Sequence, residues 1–389
     1  MRPTTAFDPT DPAMVVDPYA SFASERARHA VAWQEHLGMW LAFSHGAVSA
    51  IQRDRRFGRV WRDRQPASFW EPFNLLHSTQ MMENEPPEHT RLRRPVAAAF
   101  ARGHVERLRP RVRALAAQLL DEIPDPTAGF DVIGQYAEPL PVLVIAELLG
   151  FPTEDTVRLR EWSQAIVRCY EPPRADASEQ AAIEQAAVQA AREFSGVVRE
   201  LIRERQATPR DDLISDLAVT ELSEQEMVAA VVLLLNAGHE ASVNVFGNGL
   251  VAMLQRGLRP GPDVALCVEE MLRFDSALQL FERTALEDVE VGGITVATGE
   301  KIAVLLGSAN RDGTVFEAPD EFRVDRATNP HVAFGVGVHF CLGAPLARME
   351  LTESVAALFA RFPDLRAAGP ANSRGTFVLR GYHDVRVSG

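Results

Sequence analysis

FGVGVHFCLGAPLARME, residues 334–350, is the stretch from which the rest of the chain can be read. It holds one cysteine, Cys341, inside a frame of Phe334, Gly335, Gly337, His339 and Gly343, and a helical run begins just after it. An isolated cysteine is most often a small buried hydrophobe. Here the frame gives it chemistry. The glycines permit a tight loop whose backbone can approach a bound group closely. The helix that follows directs its first N–H groups and the positive end of its dipole back at the loop. A thiolate is stabilised there, which makes Cys341 a good anionic metal ligand. His339, two residues earlier, offers a donor to an acidic group beside that metal.

Composition narrows the class. At 389 residues the chain exceeds the ~100–200 residues usual for one core, yet no repeat, low-complexity run or Ser/Gly linker marks a boundary. Residues 1–389 therefore read as a single domain, mainly α with small β-sheets (α+β), and 46% hydrophobic content supports a sizeable core. No window approaches the ~18 consecutive apolar residues of a membrane span, and the N-terminus lacks the basic and apolar regions of a signal peptide. A soluble, cytoplasmic monomer is the expectation. Cys169, Cys267 and Cys341 have no framework spacing, which fits a reducing compartment. The net charge of 40 − 53 = −13 argues against a nucleic-acid partner. Lys301 is the only lysine, and arginine crowds into Arg91–Arg113. That run is either a solvated helix face or a surface where a partner docks.

Along the chain, Val31–Leu41 alternates around Leu37–Gly38 and predicts a hairpin, followed by a short helix over Ser44–Arg53. Phe57–Asn84 has no clean period and reads as irregular, either a functional loop or one packing its own aromatics. Helices are predicted over Glu88–Ala101, Val105–Leu120, Val132–Leu149, Glu154–Tyr170, Glu179–Gln206 and Asp211–Val219. The longest begins near Glu224, where Ser223 and Glu226 form a capping box, and stops at Gly257. It would span about 45–50 Å and, being apolar nearly all round, should be buried. Its middle, Asn236–Ser242 (NAGHEAS), breaks that pattern. Polar groups there cost free energy unless paired, and Gly238 costs ~1 kcal/mol against alanine. So many broken local rules in one place mark a site. Val264–Arg273 reads as a helix with Glu270 and Arg273 three apart, an arrangement that is usually an exposed pair. Short strands follow over Leu278–Leu305, an irregular meander over Phe316–Pro330, a closing helix over Leu346–Phe362 and a terminal hairpin over Gly375–Val387.

Phe334, Gly337, Cys341 and Gly343 fall on the pattern Phe-x-x-Gly-x-x-x-Cys-x-Gly, and the stretch resembles the haem-binding signature of the cytochromes P450. The resemblance, to the soluble bacterial members, covers the chain from about Asp17 onward, with the motifs in the family's order. It implies the cytochrome P450 fold, with the long central helix running across a haem b. The axial iron ligand would be the Cys341 thiolate, which pushes electron density toward oxygen. It implies that Glu270 and Arg273 lock with Arg323 or Arg326 as a structural unit. His89 and Arg93, in the helix opened by Glu85-Pro86-Pro87, would donate to the haem propionates with Arg283 and His339, since a buried dianion needs compensating charge. Phe334, Gly335 and Gly343, together with Ala237 and Gly238, complete the cofactor-binding set.

Asn236–Ser242 resembles the family's oxygen-binding kink, Ala/Gly-Gly-x-Asp/Glu-Thr-Thr/Ser. Ala237, Gly238 and Glu240 match, but Ala241 stands where threonine is usual, and Ser242 follows. The resemblance makes Glu240, Ala241 and Ser242 the catalytic candidates, with Glu240 feeding protons. Three readings stand for the missing hydroxyl: the substrate supplies it, Ser242 and ordered water supply it, or the enzyme couples poorly and prefers peroxide. Leu233, Asn236, Ala237 and Ala241 share one helix face, which would look at the distal side of the haem. Asn236 replaces the usual apolar residue and either orients a polar group of the substrate or bonds a neighbouring loop. Met82, Leu278, Leu280, Phe281 and Leu379 correspond to other pocket segments, and Gln279 either joins them or turns away. The connection Gln255–Leu266 is shorter than the family usually has.

The implied activity inserts one oxygen atom of O2 into a small apolar or amphipathic organic substrate, by hydroxylation or epoxidation, in secondary metabolism or catabolism. Electrons would come from a separate acidic ferredoxin- or flavodoxin-type protein docking near Arg91–Arg113. Oxidative coupling or peroxide-driven chemistry is the alternative within the class. Outside it stands a haem-binding sensor or electron carrier. The Gly238–Glu240 kink argues against that, because a carrier needs no distal proton route.

Overall fold

The computed structural model describes residues 2–173 and 176–389. They gather into two compact units, with elements numbered along the chain. The first unit comprises the chain up to Gly58, Arg109–Ala137 and Ala241–Gly389; the second comprises Arg59–Leu108 and Glu138–Glu240.

The first unit carries the sheets. Val31–Gln34 (β1) and Met39–Ala42 (β2) form the expected hairpin, closed where Gly38 takes φ 60°. Trp33 and Trp40 pair edge to face across it, with centroids 5.4 Å apart. Lys301–Leu305 (β8) runs parallel to β2, and Leu280–Ala285 (β5) and Phe57–Gly58 (β3) extend the sheet in the order β1-β2-β8-β5-β3. The pleat divides the core. Trp40, Ile302 and Val304 face one apolar cluster with Val48 and Ile51 of the helix His45–Arg53 (α3). Leu41, Ala303 and Leu305 face another with Phe7, Phe22, Phe43 and Phe377. Val264–Phe274 (α12), capped by Asp263, and Ala344–Arg361 (α14) flank the cysteine loop in sequence.

The terminal hairpin is real but its first strand lies earlier than expected. Arg366–Ser373 (β9) pairs with Tyr382–Ser388 (β10), and Phe130–Asp131 (β4) completes this sheet. The sequence Arg-Ala-Ala-Gly-Pro-Ala-Asn-Ser has neither alternation nor β-branched residues, so only backbone pairing makes it a strand.

The second unit is helical and holds the other corrections. Phe57–Asn84 is not irregular throughout: Ala67–Ser78 (α4) is a helix that buries Trp70, Phe73, Leu76 and His77 at helical spacing. Pro72 inside it obscured the period. Glu88–Ala97 (α5) ends four residues before the expected boundary, two residues after Pro95. Val132–Leu149 divides at Glu138: a π-helical turn, Ile133–Ala137, precedes Pro139–Leu149 (α7), where Pro139 occupies the first helical position. Thr156–Arg168 (α8), Ala177–Ala207 (α9) and Leu213–Ala218 (α10) follow close to the expected bounds.

Two helices continue from the second unit into the first, Arg102–Asp121 (α6) and Glu224–Gln255 (α11). The capping box on α11 is made: the Ser223 N–H donates to Glu226 at 2.8 Å, and the Glu226 N–H donates to the Ser223 hydroxyl at 3.3 Å. Gly257, at φ 64°, stops it. α11 is long and apolar enough to cross a membrane, but most of its apolar window is buried inside the protein. A search for unbroken apolar runs passes over it because Asn236, His239 and Glu240 interrupt it.

Candidate active site

In the first unit the loop before α14 is held by its own backbone. The Cys341 N–H donates to the Phe334 carbonyl at 2.9 Å, and the Phe340 N–H to the Gly337 carbonyl at 3.1 Å. Gly335 and Gly337 take φ of 64° and 81°. A Cβ on Gly337 would stand 2.3 Å from the Gln52 carbonyl oxygen, so only glycine permits this approach to α3. Gly343 caps α14, its carbonyl accepting the Ala347 N–H at 2.9 Å. Cys341 and His339 are half-buried. Cys169 and Cys267 are buried instead, which pushes their thiols up to about 11 and about 12 and leaves them inert.

Glu270 organises the segment leading into this loop. Arg273 donates to both its oxygens, at 2.7 and 2.8 Å. The Arg326 Nε donates at 3.0 Å, the Arg323 backbone N–H at 2.8 Å and the Asn329 amide at 3.2 Å. Of the two candidate meander arginines, Arg326 supplies the side chain, while Arg323 turns its guanidinium toward Glu317. Glu270 and Arg273 are not an exposed pair; both are fully buried. Burial alone would raise the Glu270 carboxyl, but these donors and charges hold it below its ordinary range. Arg273 spends its remaining donors on the carbonyls of Asn310, Pro319 and Glu321, so the charge is buried with its hydrogen bonds made.

Arg283, on β5, is buried with its guanidinium 4.8 Å from the Phe281 ring centre. Leu278 and Leu379 are brought together as a β-bridge, flanked by bonds from Gln279 N to Val378 O and from Arg380 N to Ala277 O. Both leucines and Phe281 are half-buried, whereas Leu280 is absorbed into the core with Phe7 and Phe377. Gln279 is fully buried and donates to the Tyr19 hydroxyl and the Ser276 carbonyl, which is the turned-away arrangement.

In the second unit, His89 lies buried in the first turn of α5, and Arg93 follows one turn on, half-buried. Met82 is half-buried in a 3-10 turn, Met81–Glu83. On α11, Leu233, Asn236 and Glu240 are buried, yet Ala237 is exposed and Gly238 half-exposed in the middle of an otherwise buried helix. A Cβ on Gly238 would lie 3.2 Å from Ile145, so close packing of α7 is one reason for glycine there. The Asn236 Oδ1 is buried without a hydrogen-bond partner among the described residues, which does not support the loop-bonding reading. Glu240 Oε1 lies 3.7 Å from His239 Nδ1.

Where α11 enters the first unit, Ala241 is half-exposed and Ser242 is buried with its hydroxyl bonded to Glu350 of α14. Sequence reasoning missed Glu350. It is wholly buried, and burial pushes its carboxyl up to about 8 against the Ser242 bond. Its signal was an acid next to Met349 on the buried side of α14, three residues before a second buried acid, Glu353. The arginine run is partly self-neutralised: Arg91 pairs with Glu88 and Glu226, and Arg109 and Arg113 pair with Glu353, while Arg94 and Arg107 are exposed.

The profile of the cytochrome P450 family matches residues 263–365. The polyketide biosynthesis cytochrome P450 PksS of Bacillus subtilis (strain 168) is 36% identical over 372 residues, covering 90% of this chain and 88% of its own length. The chain belongs to the cytochrome P450 family. This P450 is also similar to nocardicin C N-oxygenase of Nocardia uniformis subsp. tsuyamanensis, 38% identical over 346 residues, 85% of this chain and 84% of that protein. Among solved structures, P450BioI in complex with an acyl carrier protein bearing hexadec-9Z-enoic acid matches with a TM-score of 0.91 at 31% identity, covering 97% of this chain and 99% of that one.

Membership makes the P450 an oxidoreductase and implies a haem whose iron is held by a cysteine thiolate. The residues fit that group. Cys341 is the one cysteine that is not buried. Among the described residues no three His, Cys, Asp or Glu side chains are grouped so that they could hold a metal ion. On α11 the small residues Ala237, Gly238 and Ala241 leave that stretch free of bulk, and the glycines of the cysteine loop let its backbone approach a bound group closely.

Proposed function

We propose that this P450 is a monooxygenase of secondary metabolism, inserting one oxygen atom of O2 into a small apolar or amphipathic organic molecule that carries a hydroxyl of its own. The observation that carries the reading is the half-exposed Cys341 in its glycine-framed loop before α14. Haem b, when bound, supplies the iron at which oxygen is activated. Residues 1–389 act as one catalytic domain, in the cytoplasm and as a monomer.

Phe334, Gly335 and Gly343 shape the loop around the ligand. His89, Arg93, Arg283 and His339 would be the residues that hold the haem propionates, as the family resemblance implies. Leu233, Leu278, Phe281, Leu379 and Met82 would be the apolar residues offered to the substrate, and Asn236 would offer it a carboxamide. Glu240 holds and passes a proton on the exposed-alanine side of α11. Ser242 cannot readily replace the missing threonine hydroxyl, because its own hydroxyl is committed to Glu350. That favours a hydroxyl contributed by the substrate. One relative is named for polyketide biosynthesis and another for N-oxygenation of nocardicin C, which supports a substrate from secondary metabolism. Electrons arrive from a ferredoxin- or flavodoxin-type protein steered by the exposed Arg94 and Arg107.

The test is a Soret titration of the ferric protein with alcohols and the matching ketones from terpene, steroid and macrolide series, followed by Ala241→Thr with the best ligand. The alcohols should shift the band where the ketones do not, and Ala241→Thr should leave coupling of electron consumption to product unchanged or lower. Equal shifts by ketones, or better coupling in the variant, would overturn substrate assistance.

A further inference from the structure

Glu269, next to Glu270 in α12, belongs to a second charge cluster that the haem-binding set does not use. Arg348, on α14, donates Nε to one of its oxygens at 2.6 Å and Nη2 to the other at 2.9 Å. His331, in the segment leading into the cysteine loop, places Nε2 3.0 Å from the same carboxylate. The His331 Nδ1 accepts the Ala333 N–H at 3.2 Å, which leaves the ring proton on Nε2, directed at Glu269. Burial would raise this carboxyl, but the bonds and charges of His331 and Arg348 bring it down to about 2, so it is ionised at any working pH. The Arg348 guanidinium also lies 4.5 Å from the centre of the Phe334 ring. Phe334 in turn accepts the Cys341 N–H on its carbonyl.

One cation and one anion are thus fixed beside the residue that frames the ligand cysteine. Partly exposed ion pairs contribute little to stability, so stability alone is a thin account of a bidentate, ring-stacked one. Charges and hydrogen bonds beyond the ligand are what set the electronics of a thiolate-held iron.

We propose that the Glu269–Arg348 pair tunes the electron-donating strength of the Cys341 thiolate, and with it the reduction potential of the haem, with Arg348 acting as a positioning residue through Phe334. The inference rests on the haem-thiolate reading above. Its logic is a charge balance. With both partners present the charges cancel. Without Arg348, the Glu269 anion loses its guanidinium partner next to Phe334, and the added electron is disfavoured. Without the anion, the guanidinium is left and favours it.

The experiment is a spectroelectrochemical titration of the haem-loaded protein at one fixed pH for all variants, with the carbon monoxide difference spectrum of each reduced variant. Arg348→Gln should lower the midpoint potential, Glu269→Gln should raise it, and the double variant should return toward the parent value. Arg348→Lys, which keeps the cation but loses the planar fork, should stay near the parent. All should retain the thiolate-type carbonyl spectrum. Single variants that shift in the same direction, or do not shift while that spectrum is intact, would overturn the proposal. So would loss of the thiolate-type spectrum in the Arg348 and Glu269 variants, since it would reveal a purely structural role. A parent protein without that spectrum would instead sink the haem-thiolate reading itself.

Discussion

Glu350 shows how a single residue can be invisible in the sequence and prominent in the fold. Nothing around it is a motif for a buried acid; only the neighbouring helix, which places Ser242 against it, makes it one. Its carboxyl rises from 4.5 to about 8, so the folded protein keeps a proton that the unfolded chain releases. The associated stability is fully present below about pH 4.5 and is lost as pH rises toward 8, on the order of a few kcal/mol. Glu350→Gln should flatten the decline of the urea midpoint across that window. An unchanged slope would mean the carboxyl is ionised in the folded state. Gly337 is the opposite case, readable from sequence as a loop glycine but not as a contact. With φ at 81° and a Cβ that would stand 2.3 Å from the Gln52 carbonyl, Gly337→Ala should cost about 1–3 kcal/mol and reduce haem content. Haem content and a thermal midpoint equal to the parent's would refute that geometry.

Among the elements, those with strong local signals were legible. α11 declared both ends, through Ser223 and Glu226 at the start and Gly257 at the stop. Ser223→Ala should lower stability by about 1 kcal/mol in urea unfolding, since it leaves an orphan N–H on the first turn; no change would mean Glu226 alone sustains the cap. The hairpin of β1 and β2 was equally clear, because alternation and a glycine turn coincide. α4 was hidden by Pro72, which a helix formed anyway by burying Trp70, Phe73 and Leu76. β9 was hidden for a different reason: its Ala-Gly-Pro sequence carries no strand preference, and the partner strand β10 imposes the conformation. Tertiary pairing overrode local preference there, and no pattern in that stretch announces it.

At the scale of the whole molecule, family and fold class were readable because several weak motifs recur in one order: His89 and Arg93, Gly238 and Glu240, Glu270 and Arg273, then Cys341. Partner choices were not readable. The sequence left Arg323 and Arg326 equivalent, and only the fold brings the Arg326 side chain to Glu270. It also showed Arg91–Arg113 as one basic run, while the fold commits Arg91, Arg109 and Arg113 to acids within the protein. Substrate identity lies further still, because it depends on the shapes of half-buried side chains such as Leu278 and Leu379 rather than on any residue type. All of these readings depend on Cys341 holding a haem iron. The most direct measurement is the carbon monoxide difference spectrum of the reduced protein, taken on the parent, Cys341→Ser, Cys169→Ser and Cys267→Ser. The account predicts a thiolate-type Soret band in the parent and in the two buried-cysteine variants, and its loss in Cys341→Ser. A band that survives Cys341→Ser, or that is absent from a haem-loaded parent, would contradict it.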